Sequence, residues 1–106
     1  MIDIQRIRDY YPHPCREVDA PTYLLGTPQI GYCVGGALCL YLGRTLEGIT
    51  DSHFPMDEHL AELLLACRPS LTYKSALNYA RLITHLNDDG EFERAWWMAD
   101  KALNGL

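Results

Sequence analysis

Gly31-Tyr32-Cys33-Val34-Gly35-Gly36-Ala37-Leu38-Cys39-Leu40-Tyr41-Leu42-Gly43 carries neither a charge nor a proline. On a helical wheel its apolar side chains point in every direction, and a helix of that kind has to be enclosed by other elements. Gly35, Gly36 and Ala37 leave a nearly bare patch where a neighbouring backbone can come close. Gly43 followed by Arg44 is a stop signal. As a helix the stretch 31–42 is about 18 Å long, too short to span a bilayer. It reads as a core helix around which the other elements must be arranged.

Outward on the amino-terminal side, residues 12–30 hold Pro12, Pro14, Pro21 and Pro28, four of the six prolines. Nineteen residues without regular structure are unusual inside a small domain. Thr22-Tyr23-Leu24-Leu25 and Gln29-Ile30 flank Gly26-Thr27-Pro28, so this segment is either a small hairpin or an ordered loop over the core helix. Before it, residues 2–11 place Ile4, Ile7 and Tyr11 on one side of a short amphipathic helix, ended by Pro12 and Pro14.

On the carboxyl-terminal side, residues 44–57 read as a loop. Leu60, Leu63, Leu64 and Cys67 then fall at i, i+3, i+4 and i+7 of a helix over 57–67, with Asp57 and Glu58 where the helix dipole favours acids. A second helix over 71–86 aligns Ala76, Tyr79, Ala80, Ile83 and Leu86. Asn87-Asp88-Asp89-Gly90 reads as a turn, with Asp88 and Glu91 spaced to cap the last helix. That helix, 91–103, carries Phe92, Ala95, Trp96, Ala99 and Leu103 on one face, and leaves Trp97 among Glu93, Asp100 and Lys101.

A chain of 106 residues is the size of one domain and can bury a real core without staples. The net charge of -5, with arginines scattered and no basic block, argues against nucleic acid as a partner. Ile2-Asp3-Ile4-Gln5-Arg6 after Met1 is charged and alternating, unlike a secretory leader, so the expected location is cytoplasmic. The four cysteines form no C-x-x-C pair. Cys33 and Cys39 on one helix would lie about 9 Å apart along its axis, beyond disulfide reach, so reduced thiols are expected.

Few residues could carry chemistry. Cys33, in the first turn of the core helix, is the candidate nucleophile, because free N–H groups there favour a thiolate. It would need His53, His59 or His85 as base, with Asp51, Asn87 or Asp88 to orient it. Against that stands its fitness as a small core residue. His13-Pro14-Cys15 with His53 and His59 lacks the close ligand pairs of a zinc site. Asn87-Asp88-Asp89-Gly90 lacks the alternating oxygens of a calcium loop. No metal and no cofactor are therefore expected. Trp97 breaks the polar face of its helix. It either packs under the proline-rich segment or anchors a partner. Tyr10 and Tyr11, at the end of the first helix, suit core edges or a contact surface equally.

The order Cys33-Val34-Gly35-Gly36-Ala37-Leu38, then a leucine helix, then Ala80-x-x-Ile83 leading to Asn87-Asp88 resembles small, mainly helical proteins of unknown function in actinobacteria and their phages. The likeness covers residues 31–103, and 12–30 match less well. It implies an α-rich fold and no known activity.

The expectation is thus a mainly α, single-domain protein of about five helices around a central apolar one, with at most a small β-hairpin. Its expected role is a non-enzymatic interaction module (accessory, immunity-type or phage regulatory) that binds a protein partner through Trp97, Tyr10 and Tyr11. Self-association stays open, and neither nucleic acid nor a membrane is expected as partner. The alternative is a cysteine-dependent enzyme built on Cys33 and a histidine.

Overall fold

The structure, a computed structural model, describes residues 1–11, 26–27, 31–42 and 56–105. It is mainly helical: α1 (Ile4–Tyr10), α2 (Val34–Tyr41), α3 (Met56–Cys67), α4 (Tyr73–Asp88) and α5 (Phe92–Asn104). A short antiparallel ladder joins β1 (Gly26–Thr27) to β2 (Gly31–Tyr32), with Gly26 opposite Tyr32 and Thr27 opposite Gly31.

The last three helices follow their apolar periodicity. Leu60, Leu63 and Leu64 of α3, Ala76, Ala80 and Ile83 of α4, and Ala95, Trp96, Ala99 and Leu103 of α5 are all buried. α3 packs along α4, and α4 along α5, in the most extensive contacts of the molecule. Ala76 and Ala80 of α4 and Ala95 and Ala99 of α5 are fully buried, small residues that suit close helix packing. α1 adds Ile7, fully buried, with Ile4 and Tyr11 against the core edge. Phe92, expected on the core face, is only half-buried at the start of α5.

α2 touches each of the other four helices, and every residue from Val34 to Cys39 is buried. It begins three residues later than the sequence suggests. Gly31 and Tyr32 are strand, and Cys33 is the extended N-cap (φ -71, ψ 157), whose Sγ accepts the N–H of Gly36 at 3.2 Å. A stretch apolar in every direction has no periodic edge, and a sulfur is an unusual cap, so neither signal marked the boundary. Gly26 and Thr27, expected at the centre of a turn, are themselves the partner strand. The flanks at 22–25 and 29–30 lie outside the described residues, as do the stop at Gly43 and the loop 44–55.

The turn expected at 87–90 is also shorter than anticipated. Asn87 and Asp88 belong to the last turn of α4. Gly90 takes the left-handed conformation (φ 80), its N–H donating to Asn87 O and the Glu91 N–H to Leu86 O. That pair of hydrogen bonds is a Schellman stop, whose left-handed residue is favoured as glycine. Asp88 is therefore the last residue of α4 and not the N-cap of α5. Glu91 is the N-cap but makes no side-chain cap bond, its carboxylate instead taking Arg94 Nη1 at 3.0 Å. Thr72 does cap α4, its hydroxyl accepting Ser75 N–H at 3.1 Å. At the far end of α5, Gly105 (φ 75) closes the helix, and Arg68 from beyond α3 donates to the carbonyl of Ala102 at 3.0 Å.

Candidate functional site

The chain ahead of α1 is held against the end of α5 by one side chain. Asn104 accepts the N–H of Ile2 and donates to the carbonyl of Ile2, both at 2.8 Å, so it mimics a strand partner. Its Nδ2 also donates to Asp100 Oδ1 at 2.6 Å, which fixes the amide orientation. Asp3 caps α1, accepting the Arg6 N–H at 3.2 Å.

Between this pinned segment and α5 lies an open groove of about 610 Å³. Ile2 and Ile4 form one wall, Trp96 and Trp97 the other, and Arg8 and Glu93 reach across it. Arg8 makes a forked pair with Glu93, with Nη1 to Oε2 at 3.0 Å and Nη2 bonded to Oε1. The guanidinium also lies 5.8 Å from the centre of the Trp96 ring. The hydrogen bond to Glu93 raises the pKa of Arg8, and the same bond holds the Glu93 carboxyl below its ordinary range. Glu93 remains largely in solvent, so the pair contributes orientation more than stability.

Trp97 is 60% exposed in this groove, with Lys101 one turn on and 5.3 Å from its ring centre. The helical wheel places it only on the polar face of α5; the groove itself, made by a segment ninety-odd residues away in sequence, leaves no local signal. Tyr10, also exposed, packs on Tyr11 at 5.3 Å and edge-on to Tyr41 at 5.8 Å. Arg8 and Tyr10 diverge by about 160° around α1. The three residues expected to share a binding surface are thus divided: Trp97 lies in the groove, and Tyr10 and Tyr11 form a tyrosine cluster on the other flank of α1.

Cys33 is 2% exposed, in the core and not in the groove. Its Sγ serves α2 as a cap, a role that needs no solvent access. His85 sits at the surface of α4 beside Asp89, 3.2 Å away, and His59 is half-buried on α3. His13, Cys15, Asp51 and His53 lie outside the described residues. The cysteines that are described, Cys33, Cys39 and Cys67, are unbridged. Among the described residues no three metal-ligating side chains converge. No helix among them is long and apolar enough to cross a membrane.

Asn87 is the residue that sequence reasoning misassigned most. It was expected in a solvated turn, or at most as an orienting group for a histidine. It is 1% exposed, and its Oδ1 accepts the Val34 N–H at 2.9 Å, at the start of α2. Comparison of the chain with protein families, with characterised proteins and with solved structures gives no match.

Proposed function

We propose that the chain is a small interaction module that works by binding a protein partner in the groove between its amino-terminal segment and α5, without catalysis. The observation that carries this reading is Trp97, a large apolar side chain 60% exposed in the wall of a 610 Å³ groove. A tryptophan in a groove is the usual anchor of an interface, because it contributes much contact area for little lost rotamer freedom. The groove is built on a rigid base: Asn104 pins one wall and Trp96 anchors the other. An accessory, immunity-type or phage regulatory role in the cytoplasm fits a chain of this size and charge.

The test is a selection of twelve-residue peptides displayed on phage against the folded protein. Peptides enriched on the wild-type chain should lose at least about 2 kcal/mol of affinity on Trp97→Ala. Enriched peptides that bind Trp97→Ala equally well would place the interaction surface elsewhere.

A further inference from the structure

Asn104, which pins the amino-terminal segment to α5, is followed directly by Gly105. An asparagine before a glycine is the pair most prone to lose its amide, for a steric reason. With no side chain on the glycine, its backbone nitrogen can reach the asparagine side-chain carbon. That nitrogen gives its proton to base and bonds to Cγ, and Nδ2 leaves as ammonia. Water then opens the five-membered imide at either carbonyl, leaving aspartate or its β-linked isomer. The other asparagines, Asn78 and Asn87, precede Tyr79 and Asp88, whose side chains hinder the attack.

The fold holds this reaction back at two points. The Gly105 N–H donates to Lys101 O at 2.8 Å, which directs the nitrogen back along the helix and away from Cγ. The Asn104 amide is itself held, accepting from Ile2 N–H and donating to Ile2 O and Asp100 Oδ1. Both constraints sit in the last turn of α5, and helix ends fray. Gly105 is exposed there to the base and water that the reaction consumes. Opening that one turn frees the nitrogen without unfolding the core.

We infer that Asn104 is a site of spontaneous deamidation, and that its conversion unfastens the amino-terminal segment from α5. The product lacks the donor that meets the Ile2 carbonyl and Asp100. A carboxylate oxygen then faces two acceptors, one of them already negative, so both contacts turn from attractive to repulsive. Only the bond from the Ile2 N–H can survive. Ile2 and Ile4, which wall the groove opposite Trp96 and Trp97, are thereby released. The inference needs no partner in the groove, because it concerns how the wall is fastened.

The test is to age the folded protein at mildly alkaline pH and map its peptides by mass. Asn104 should convert well ahead of Asn78 and Asn87, faster as pH rises, and roughly tenfold more slowly than in urea, the protection expected of a frayed turn. Anion exchange separates the converted fraction, which carries the added charge. In that fraction, and in Asn104→Asp made directly, NMR should show the Ile2 amide exchanging with solvent roughly tenfold faster than in fresh protein. An Asn104 that stays intact in the native chain but converts in urea would overturn the site. Conversion that leaves the Ile2 amide as protected as before would overturn the release. Neither result touches the reading of the groove as a binding site, which the Trp97→Ala peptides test separately.

Discussion

The side-chain oxygen of Asn87 accepts the backbone N–H of Val34 at 2.9 Å, across 53 residues of chain. The start of α2 is buried, so its free N–H groups cannot turn to water. Cys33 Sγ satisfies one at Gly36, and Asn87 satisfies another. Removing that acceptor strands a buried donor and opens a small cavity. Asn87→Ala should cost about 2–3 kcal/mol, a fall of roughly 10 °C or more in melting temperature for a domain of this size. A variant melting within about 2 °C of wild type would mean that the bond is dispensable.

Gly36 lies inside the buried run of α2, which touches α1, α3, α4 and α5. Leucine there has a better helix propensity by several tenths of a kcal/mol. Overpacking a closed core costs about 1–3 kcal/mol, so packing should win and Gly36→Leu should be less stable. Urea denaturation is the measurement. Equal midpoints would show that α2 has room on that side.

How much of this was legible depends on how far each signal reaches along the chain. α3, α4 and α5 were readable because Leu60, Leu63 and Leu64, or Ala76, Ala80 and Ile83, repeat within a few residues and report one buried face. Trp97 was readable for the same reason, as the residue that breaks the repeat. The uniform apolarity of 31–42 announced burial but gave no edge, so strand and cap were read as helix. Asn87 to Val34, Asn104 to Ile2 and Arg68 to Ala102 are long-range bonds made by ordinary polar residues. Each of those residues suits a turn or a solvated face equally well, and only the folded chain distinguishes them. The groove depends on such a bond, which is why the sequence offers Trp97, Tyr10 and Tyr11 as separate contact residues and not the surface between α5 and the amino-terminal segment.

Thiol chemistry separates the binding module from the enzyme. Cys33 and Cys39 are buried, and Cys67 is half-buried at the end of α3. Of these, Cys67 should be alkylated first in the native protein, with Cys33 and Cys39 protected until unfolding. Burial raises the Cys67 pKa above its ordinary 9.0. A raised folded pKa means that the folded state holds its proton longer, so this group's contribution is intact below about pH 9 and declines as pH rises further. Peptide mapping of labelled protein over a pH series reads both. Rapid labelling of Cys33 near neutral pH would revive the nucleophile.

The Arg8–Glu93 pair has the opposite pH sense. Its hydrogen bonds hold the Glu93 carboxyl below its ordinary 4.5, so the contribution is present above that pH and fades as pH falls through the lowered value. Because Glu93 is so exposed, the effect on melting should be slight, and the clearer signal should come from tryptophan fluorescence. Releasing Arg8 from Glu93 in acid, or by Glu93→Gln at neutral pH, should alter emission from Trp96, over which Arg8 lies. An acid titration of wild type and of Glu93→Gln with identical emission changes would show that Arg8 does not depend on its partner.

Trp97 tests the functional reading most directly, because its role in the fold and its role in binding predict different numbers. With 60% of its surface in solvent and Lys101 as its ring partner, it gives the monomer little: an exposed cation–π contact is worth about 0.5–1 kcal/mol. Trp97→Ala should therefore lower stability by no more than about 1 kcal/mol. The other possibility raised by the sequence is that the segment 12–30, of which only 26–27 are described, packs over the indole. Truncating a tryptophan covered in that way costs about 3–5 kcal/mol, a loss that a melting curve cannot miss. Association gives the second number. If the chain pairs with itself through the groove, sedimentation should show the dimer weakened by about 2 kcal/mol or more in the variant, as for a central aromatic anchor. If the partner is a different protein, the isolated chain should sediment as a monomer in both forms, and the selected peptides should carry the same loss. A variant that melts like wild type and keeps every association would leave the exposed tryptophan without a function, and the groove with it.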